Sequence, residues 1–225
     1  MASQNPQWFC QRLTVDDTAG RVPAGDLAEG GATLSQLASV VPGPRLACRV
    51  VGVTDVTAPL TGPQGAAPFF GPQKGAKPDD VLLLAAGLER LAKVMVETGY
   101  PDLAATPGGG AAGGLGAGLV WFAGGELVPG APWVFERIGF DAALAAADLV
   151  ITSEGRFDRT SLVGKATGEV LRRAEAAGRR AVVLAGAAEG VPDAPVVAAK
   201  GLVDPPALAA LAERATRELL GVSPS

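Results

Sequence analysis

The chain has 225 residues, 48% of them apolar, and 19 Lys and Arg against 23 Asp and Glu give a formal net charge of −4. It is long enough to bury a core as one large domain or two small ones, and its scattered basic residues form no stripe of the kind nucleic-acid binding needs. It contains no histidine, which excludes imidazole-based serine and cysteine triads, histidine-ligated zinc and a charge switch near neutral pH.

No apolar run approaches the roughly 18 to 20 residues of a membrane span, and the start MASQNPQWFCQRL lacks the apolar stretch of a secretory signal. Cys10 and Cys48 stand in no CxxC pair. Together these features predict a cytoplasmic protein with reduced thiols, and neither nucleic acid nor membrane as a partner.

The first strand expected is Ala47–Val53 (ACRVVGV), apolar enough to be buried on both faces. Residues 58–76 are punctuated by Pro and Gly and are expected as a loop. Pro78-Asp79-Asp80 then suits the first turn of a helix running to about Thr98. Its apolar positions Val81, Leu84, Leu88, Leu91 and Val94 or Met95 mark one buried stripe, and Gly99 is its expected stop. In the glycine-dense stretch 106–122, loop character gives way to a small-residue helix ending at Phe122. Asp141 is expected to cap a short alanine helix, and residues 148–155 (DLVITSEG) to form a second doubly buried strand. A helix over 164–177, a turn at Gly178, a strand over 180–185 and an amphipathic helix over 205–220 complete the series. This alternation predicts an α/β protein built mostly on parallel sheets.

Ligands of open parallel sheets gather at the carboxyl ends of strands. Two predicted strands end in acids, one at Asp55 and one at Glu154. The second continues GRFDRTSLVGK, setting Glu154, Arg156, Asp158, Ser161 and Lys165 close together at a strand-to-helix crossover. Carboxylates there could hold Mg²⁺ while Arg and Lys neutralise phosphate oxygens; the alternative is a solvated, salt-bridged loop. Lys74, beside Gln73 and between Gly71-Pro72 and Gly75, is a candidate phosphate clamp or an ordinary turn lysine. Gly108, Gly109, Gly110, Gly113 and Gly114 could form a nest of backbone N–H groups for an anion, or simply allow close helix packing. The stretch matches neither the Walker pattern nor the dinucleotide fingerprint.

These segments resemble the bacterial glycerate kinases. Asp55 to Ala76 (DVTAPLTGPQGAAPFFGPQKGA) resembles the family block DVTNPLTGPxGAxxxFGPQKGA, Pro107 to Gly116 its PGxGAAGGLG loop, and Ile151 to Lys165 its ITGEGRxDxQSxxGK motif. The resemblance implies ATP-dependent, Mg²⁺-assisted phosphorylation of D-glycerate, generally to 2-phosphoglycerate. It implies two α/β lobes flanking an active-site cleft: an inserted, restriction-endonuclease-like lobe over 12–147, and over 148–225 the C-terminal part of a flavodoxin-like lobe. Carried over by position, Asp55, Lys74, Glu154 and Asp158 are catalytic candidates, Glu154 and Asp158 also as Mg²⁺ ligands. Gln73, Arg156, Ser161, Lys165 and the five glycines are candidates for binding substrate or phosphate.

Four motif positions depart from the family: Ala58 stands for Asn, Ser153 for Gly, Thr160 for Gln and Thr167 for Pro. Ala58 removes an amide, which leaves room for a different small hydroxy acid as substrate. The family's DSFKGS-like, ADGGEGT and GGSATNDGG motifs do not occur in this sequence. That difference implies either a non-catalytic, ligand-binding relative or a chain that self-associates or is complemented by an N-terminal fragment.

Overall fold

The computed structural model describes residues 12–15, 25–26, 30–41, 46–191, 193–199 and 205–220. The chain divides into two compact units, one ending at Val128 and one starting at Pro129.

In the first unit, strands β1 (Arg12–Val15), β2 (Gly25–Asp26) and β3 (Leu37–Val41) form an antiparallel sheet in the order β2-β1-β3. This corrects the expectation of mostly parallel sheets for this part of the chain. The strands are too short for periodicity to announce them. Helix α2 (Pro78–Glu97) has Pro78 at its start and two acids in its first turn, as expected; the Lys77 N–H donates to Asp80 Oδ2 at 2.9 Å. Its stripe buries Leu88, Leu91, Val94 and Met95 in one core with Leu34, Leu37, Val40, Leu60, Trp121 and Phe122. Arg90 on the same helix donates from Nε to the Leu37 carbonyl at 2.6 Å, tying α2 to the start of β3. Gly99 follows the helix at φ +91°, a left-handed stop that glycine adopts without a Cβ clash.

Two expectations fail in this unit. Strand β4 (Val51–Thr54) is shorter than Ala47–Val53 and, among the described strands, pairs only with β5 (Glu126–Pro129); Val53 is 41% exposed rather than doubly buried. The expected loop 58–76 contains helix α1 (Ala66–Phe70) and a 3₁₀ turn, Pro72–Lys74. Pro68 sits in the first turn of α1, where its missing N–H breaks no helical bond. Helix α3 (Leu115–Ala123) begins after Gly114 at φ +107° and stops at Gly124.

The second unit runs α4 (Gly130–Ile138), α5 (Phe140–Ala146), β6 (Leu149–Phe157), α6 (Ala166–Ala176), β7 (Arg180–Ala188), β8 (Val196–Ala198) and α7 (Pro205–Leu220). Its sheet is parallel in the order β6-β7-β8. Central β7 is buried on both faces. Val182 and Leu184 meet Leu211 and Ala215 of α7, while Val183 and Ala185 pack on the other side with Phe157 and with Leu171 of α6. β6 lies at the edge among the described strands, with Ile151 46% exposed, so the reading of residues 148–155 as doubly buried is corrected.

Asp141 is not the cap of α5. Gly139 takes that position, and Asp141 in the first turn accepts from Arg173 Nη1 at 2.7 Å. Arg173 and Arg172 also converge on Glu169, with Arg173 Nε donating at 2.7 Å and Arg172 Nε at 2.8 Å. Hydrogen bonding from Arg172 is the main influence that lowers the Glu169 pKa from 4.5 to about 2, assisted by Arg173 against the opposing effect of burial. A lowered carboxylate pKa stabilises the fold above the ordinary value, and that stability is lost as pH falls from about 4.5 toward 2. Glu169→Gln is therefore expected to remove on the order of 2 kcal/mol of stability at pH 6 and roughly half as much at pH 3. Urea denaturation at the two pH values checks this; an equal loss at both would refute the linkage.

Candidate functional site

In β6, alternate side chains share a face, so Glu154 and Arg156 point one way while Phe157 turns into the core at 0% exposure. Asp158 continues the extended backbone and starts the 3₁₀ turn Arg159–Leu162. Its Oδ1 accepts from the Thr160 N–H at 2.8 Å and the Thr160 hydroxyl at 2.7 Å. These bonds, the hydroxyl's first, hold the Asp158 carboxyl below its ordinary pKa, so it remains ionised and is a weak proton acceptor. Ser161 is fully buried, and its Oγ accepts from the Asp158 N–H at 3.2 Å. That hydroxyl closes the turn from within.

The turn lies directly on the first turn of α6. A Cβ on Gly168 would sit 2.5 Å from the Ser161 carbonyl oxygen, so only glycine allows this approach. The packing returns Lys165 to the strand end, where its Nζ lies 3.1 Å from Glu154 Oε1. The other carboxylate oxygen, Glu154 Oε2, is buried and accepts no hydrogen bond. Arg156 donates to Glu189 Oε2 at 2.5 Å, and its Nε lies 3.7 Å from Asp158 Oδ2. The structure thus brings together Glu154, Arg156, Asp158 and Lys165 and adds Glu189, which sequence reading missed. Only the parallel register, which pairs Phe157 with Ala188, connects that residue to the motif.

The other candidates belong to the first unit. Asp55 is exposed just beyond β4, and Gln73 and Lys74 are exposed on their 3₁₀ turn, with Lys74 Nζ 5.9 Å from the Phe70 ring centroid. Residues 54–60 run against the glycine stretch. A Cβ on Gly108 would meet Thr54 Cγ2 at 3.0 Å, and one on Gly110 would lie 2.2 Å from the Pro59 carbonyl oxygen. The N–H groups of Gly109, Gly110, Ala111, Gly113 and Gly114 donate to carbonyls of Thr106, Ala58, Gly108, Gly110 and, for Gly114, Gly110 and Ala111. In this conformation those five amides are engaged by the chain itself, which supports the close-packing reading of the stretch. The turn includes one non-glycine left-handed residue, Ala112, at φ 51° and ψ 35°.

A single divalent cation needs few protein oxygens when substrate phosphates supply the rest. Among the described residues no group of three or more His, Cys, Asp or Glu side chains gathers as a metal cage. The unpartnered, buried Glu154 Oε2 nevertheless fits one protein contact to Mg²⁺ held jointly with a phosphorylated ligand.

Fold and residues define an α/β protein with a compact cluster of carboxylates and cations where a parallel strand hands over to its helix. A model of the Glycerate kinase family matches residues 17–219, and the chain belongs to that family. It is 37% identical over 164 residues to the glycerate kinase of Halalkalibacterium halodurans, covering 71% of this chain and 43% of that one. It is 38% identical over 166 residues to the glycerate 2-kinase of Escherichia coli, covering 68% and 44%. The crystal structure of a "putative glycerate kinase 2" from Salmonella typhimurium LT2 matches with a TM-score of 0.68 at 33% identity, over 96% of this chain and 58% of that chain. The matched region thus spans less than half the length of these curated relatives. Among the described residues no helix is long and apolar enough to cross a membrane.

Proposed function

We propose that the chain serves ATP-dependent phosphorylation of D-glycerate, with 2-phosphoglycerate as product, in the cytoplasm. The observation that carries this reading is the Glu154–Lys165 pair, in which one carboxylate oxygen is held by an ammonium and the other is buried without a partner. Bound Mg²⁺ would neutralise phosphate charge. Glu154 and Asp158 would hold it, and Lys165 and Arg156 would take anionic oxygens of phosphate or of the glycerate carboxylate.

Asp158 is engaged by Thr160 and poorly basic, so Glu154 or Asp55 is the better group to accept the proton of the attacking hydroxyl. Lys74 and Gln73, exposed on their turn, are proposed to contact phosphate or substrate. Gly108, Gly109, Gly110, Gly113 and Gly114 would contribute by shape, holding residues 54–60 in place. Phosphoryl transfer depends mainly on positioning and charge neutralisation, so a site without histidine suits it.

The lobe division at 147/148 stays within this proposal. A parallel sheet with helices on both faces supports a flavodoxin-like assignment for the second part.

The test is ADP release dependent on both ATP and D-glycerate. Turnover is expected for the wild-type chain, with a loss of about 100-fold for Lys74→Ala. Wild-type turnover no higher than that of the variant would refute catalysis by this chain. Nucleotide binding without turnover would instead indicate a ligand-binding relative.

A further inference from the structure

We propose that Glu189 is a positioning residue that holds the Arg156 guanidinium ready for an anionic oxygen of the substrate. Resting on the reading above for the identity of that anion, the inference concerns a residue in none of the three family-like motifs.

The strand ends create the contact. Arg156 lies opposite Ala187 and Phe157 opposite Ala188 in the parallel pairing of β6 with β7. The Glu189 N–H then donates to the Phe157 carbonyl at 3.0 Å, extending the ladder one step past β7. Gly190 turns the chain away at φ +67°, and its carbonyl accepts from Arg159 Nε at 3.2 Å. The Glu189 backbone is therefore fixed on both sides, and its carboxylate meets Arg156 Nη2 at 2.5 Å. Arg156 Nε faces Asp158 Oδ2 at 3.7 Å from the other side. The guanidinium is thus held between two carboxylates, and Nη1 carries no hydrogen bond among the described residues.

The pair has little to do with keeping the fold together. Both side chains are more than half exposed, and exposed ion pairs contribute little to stability. Orientation is a different matter. A free arginine must give up rotamer freedom when it grips a ligand, and a residue that has already ordered it removes part of that cost from binding. The planar fork also presents a defined edge once Nη2 is taken, which a lysine could not do.

The experiment compares the full-length wild-type chain with Glu189→Gln, Glu189→Asp and Arg156→Ala. It uses ¹⁵N-detected arginine side-chain NMR, titration with inorganic phosphate and steady-state kinetics. In Glu189→Gln the ordered Arg156 Nε–H signal is expected to collapse into the averaged envelope, phosphate affinity to fall about fivefold, and KM for D-glycerate or ATP to rise about fivefold with kcat within twofold. Glu189→Asp is expected to recover part of each change, and the melting temperature to stay within about 2 °C of wild type.

An unchanged Arg156 signal and phosphate affinity in Glu189→Gln would overturn the proposal, as would losses that simply follow a lowered melting temperature. If the wild-type chain shows no turnover, the kinase reading fails by itself, and the NMR signal and phosphate titration still decide the role of Glu189.

Discussion

Replacing Gly116 by alanine is expected to destabilise the first unit by about 3 kcal/mol or more, the upper range for forcing volume into a packed site. The new Cβ would lie 2.1 Å from the Gly108 carbonyl oxygen and 3.2 Å from the Gly109 carbonyl oxygen. Both obstacles are backbone, so no side-chain rotation relieves them. The Gly109 carbonyl also accepts from the Ala117 N–H at 3.0 Å, so the strain would reach the bond that seats α3 on the glycine turn.

Gly118, on the same helix, is the control. A Cβ there would meet only Phe122 Cδ2 at 3.9 Å, ordinary contact, so Gly118→Ala is expected to stabilise by about 0.5–1 kcal/mol through helix propensity. Chemical denaturation of the two variants gives the comparison. Equal effects from both would mean that residues 108–110 do not lie against α3 as described.

That contrast shows what could be read from the glycine stretch and what could not. Composition alone left anion binding and close packing open, since both require glycine. The hydrogen bonds support close packing in this conformation, because the amides of Gly109, Gly110, Gly113 and Gly114 serve the chain. Elsewhere, legibility followed length. The twenty-residue helix α2 declared its buried stripe and its stop at Gly99. The β7 sequence RAVVLA announced a strand buried on both faces because it is central. β6 carries similar apolar residues but lies at the edge, and sequence has no means of distinguishing the two. Helix α1 was hidden by Pro68, a residue that punctuates loops yet is harmless in a first turn.

The charged cluster was legible where it is local. Glu154, Arg156 and Asp158 recur at every second residue, the spacing that puts them on one side of an extended chain. Lys165 was legible from the same short motif, but its contact with Glu154 depends on Gly168 letting α6 fold back on the turn. Glu189 could not be found without the pairing of β6 with β7.

Glu154→Gln is expected to lower turnover by about 100-fold or more while leaving stability within about 1 kcal/mol of wild type. The amide keeps an oxygen to accept from Lys165 Nζ, so the contact that seats the lysine survives in neutral form. What disappears is the negative charge at the buried, unpartnered oxygen, together with its capacity to hold a cation or accept a proton. Asp158→Asn separates this effect from general damage to the cluster. Asparagine caps a helical turn about as well as aspartate and can still accept from Thr160, so the turn should persist and turnover should fall about tenfold or less. Raising Mg²⁺ should recover part of the Glu154→Gln loss if the carboxylate holds the metal, and none if it serves only as proton acceptor. Turnover of Glu154→Gln within threefold of wild type would remove Glu154 from the chemistry and leave its pairing with Lys165 as a structural contact.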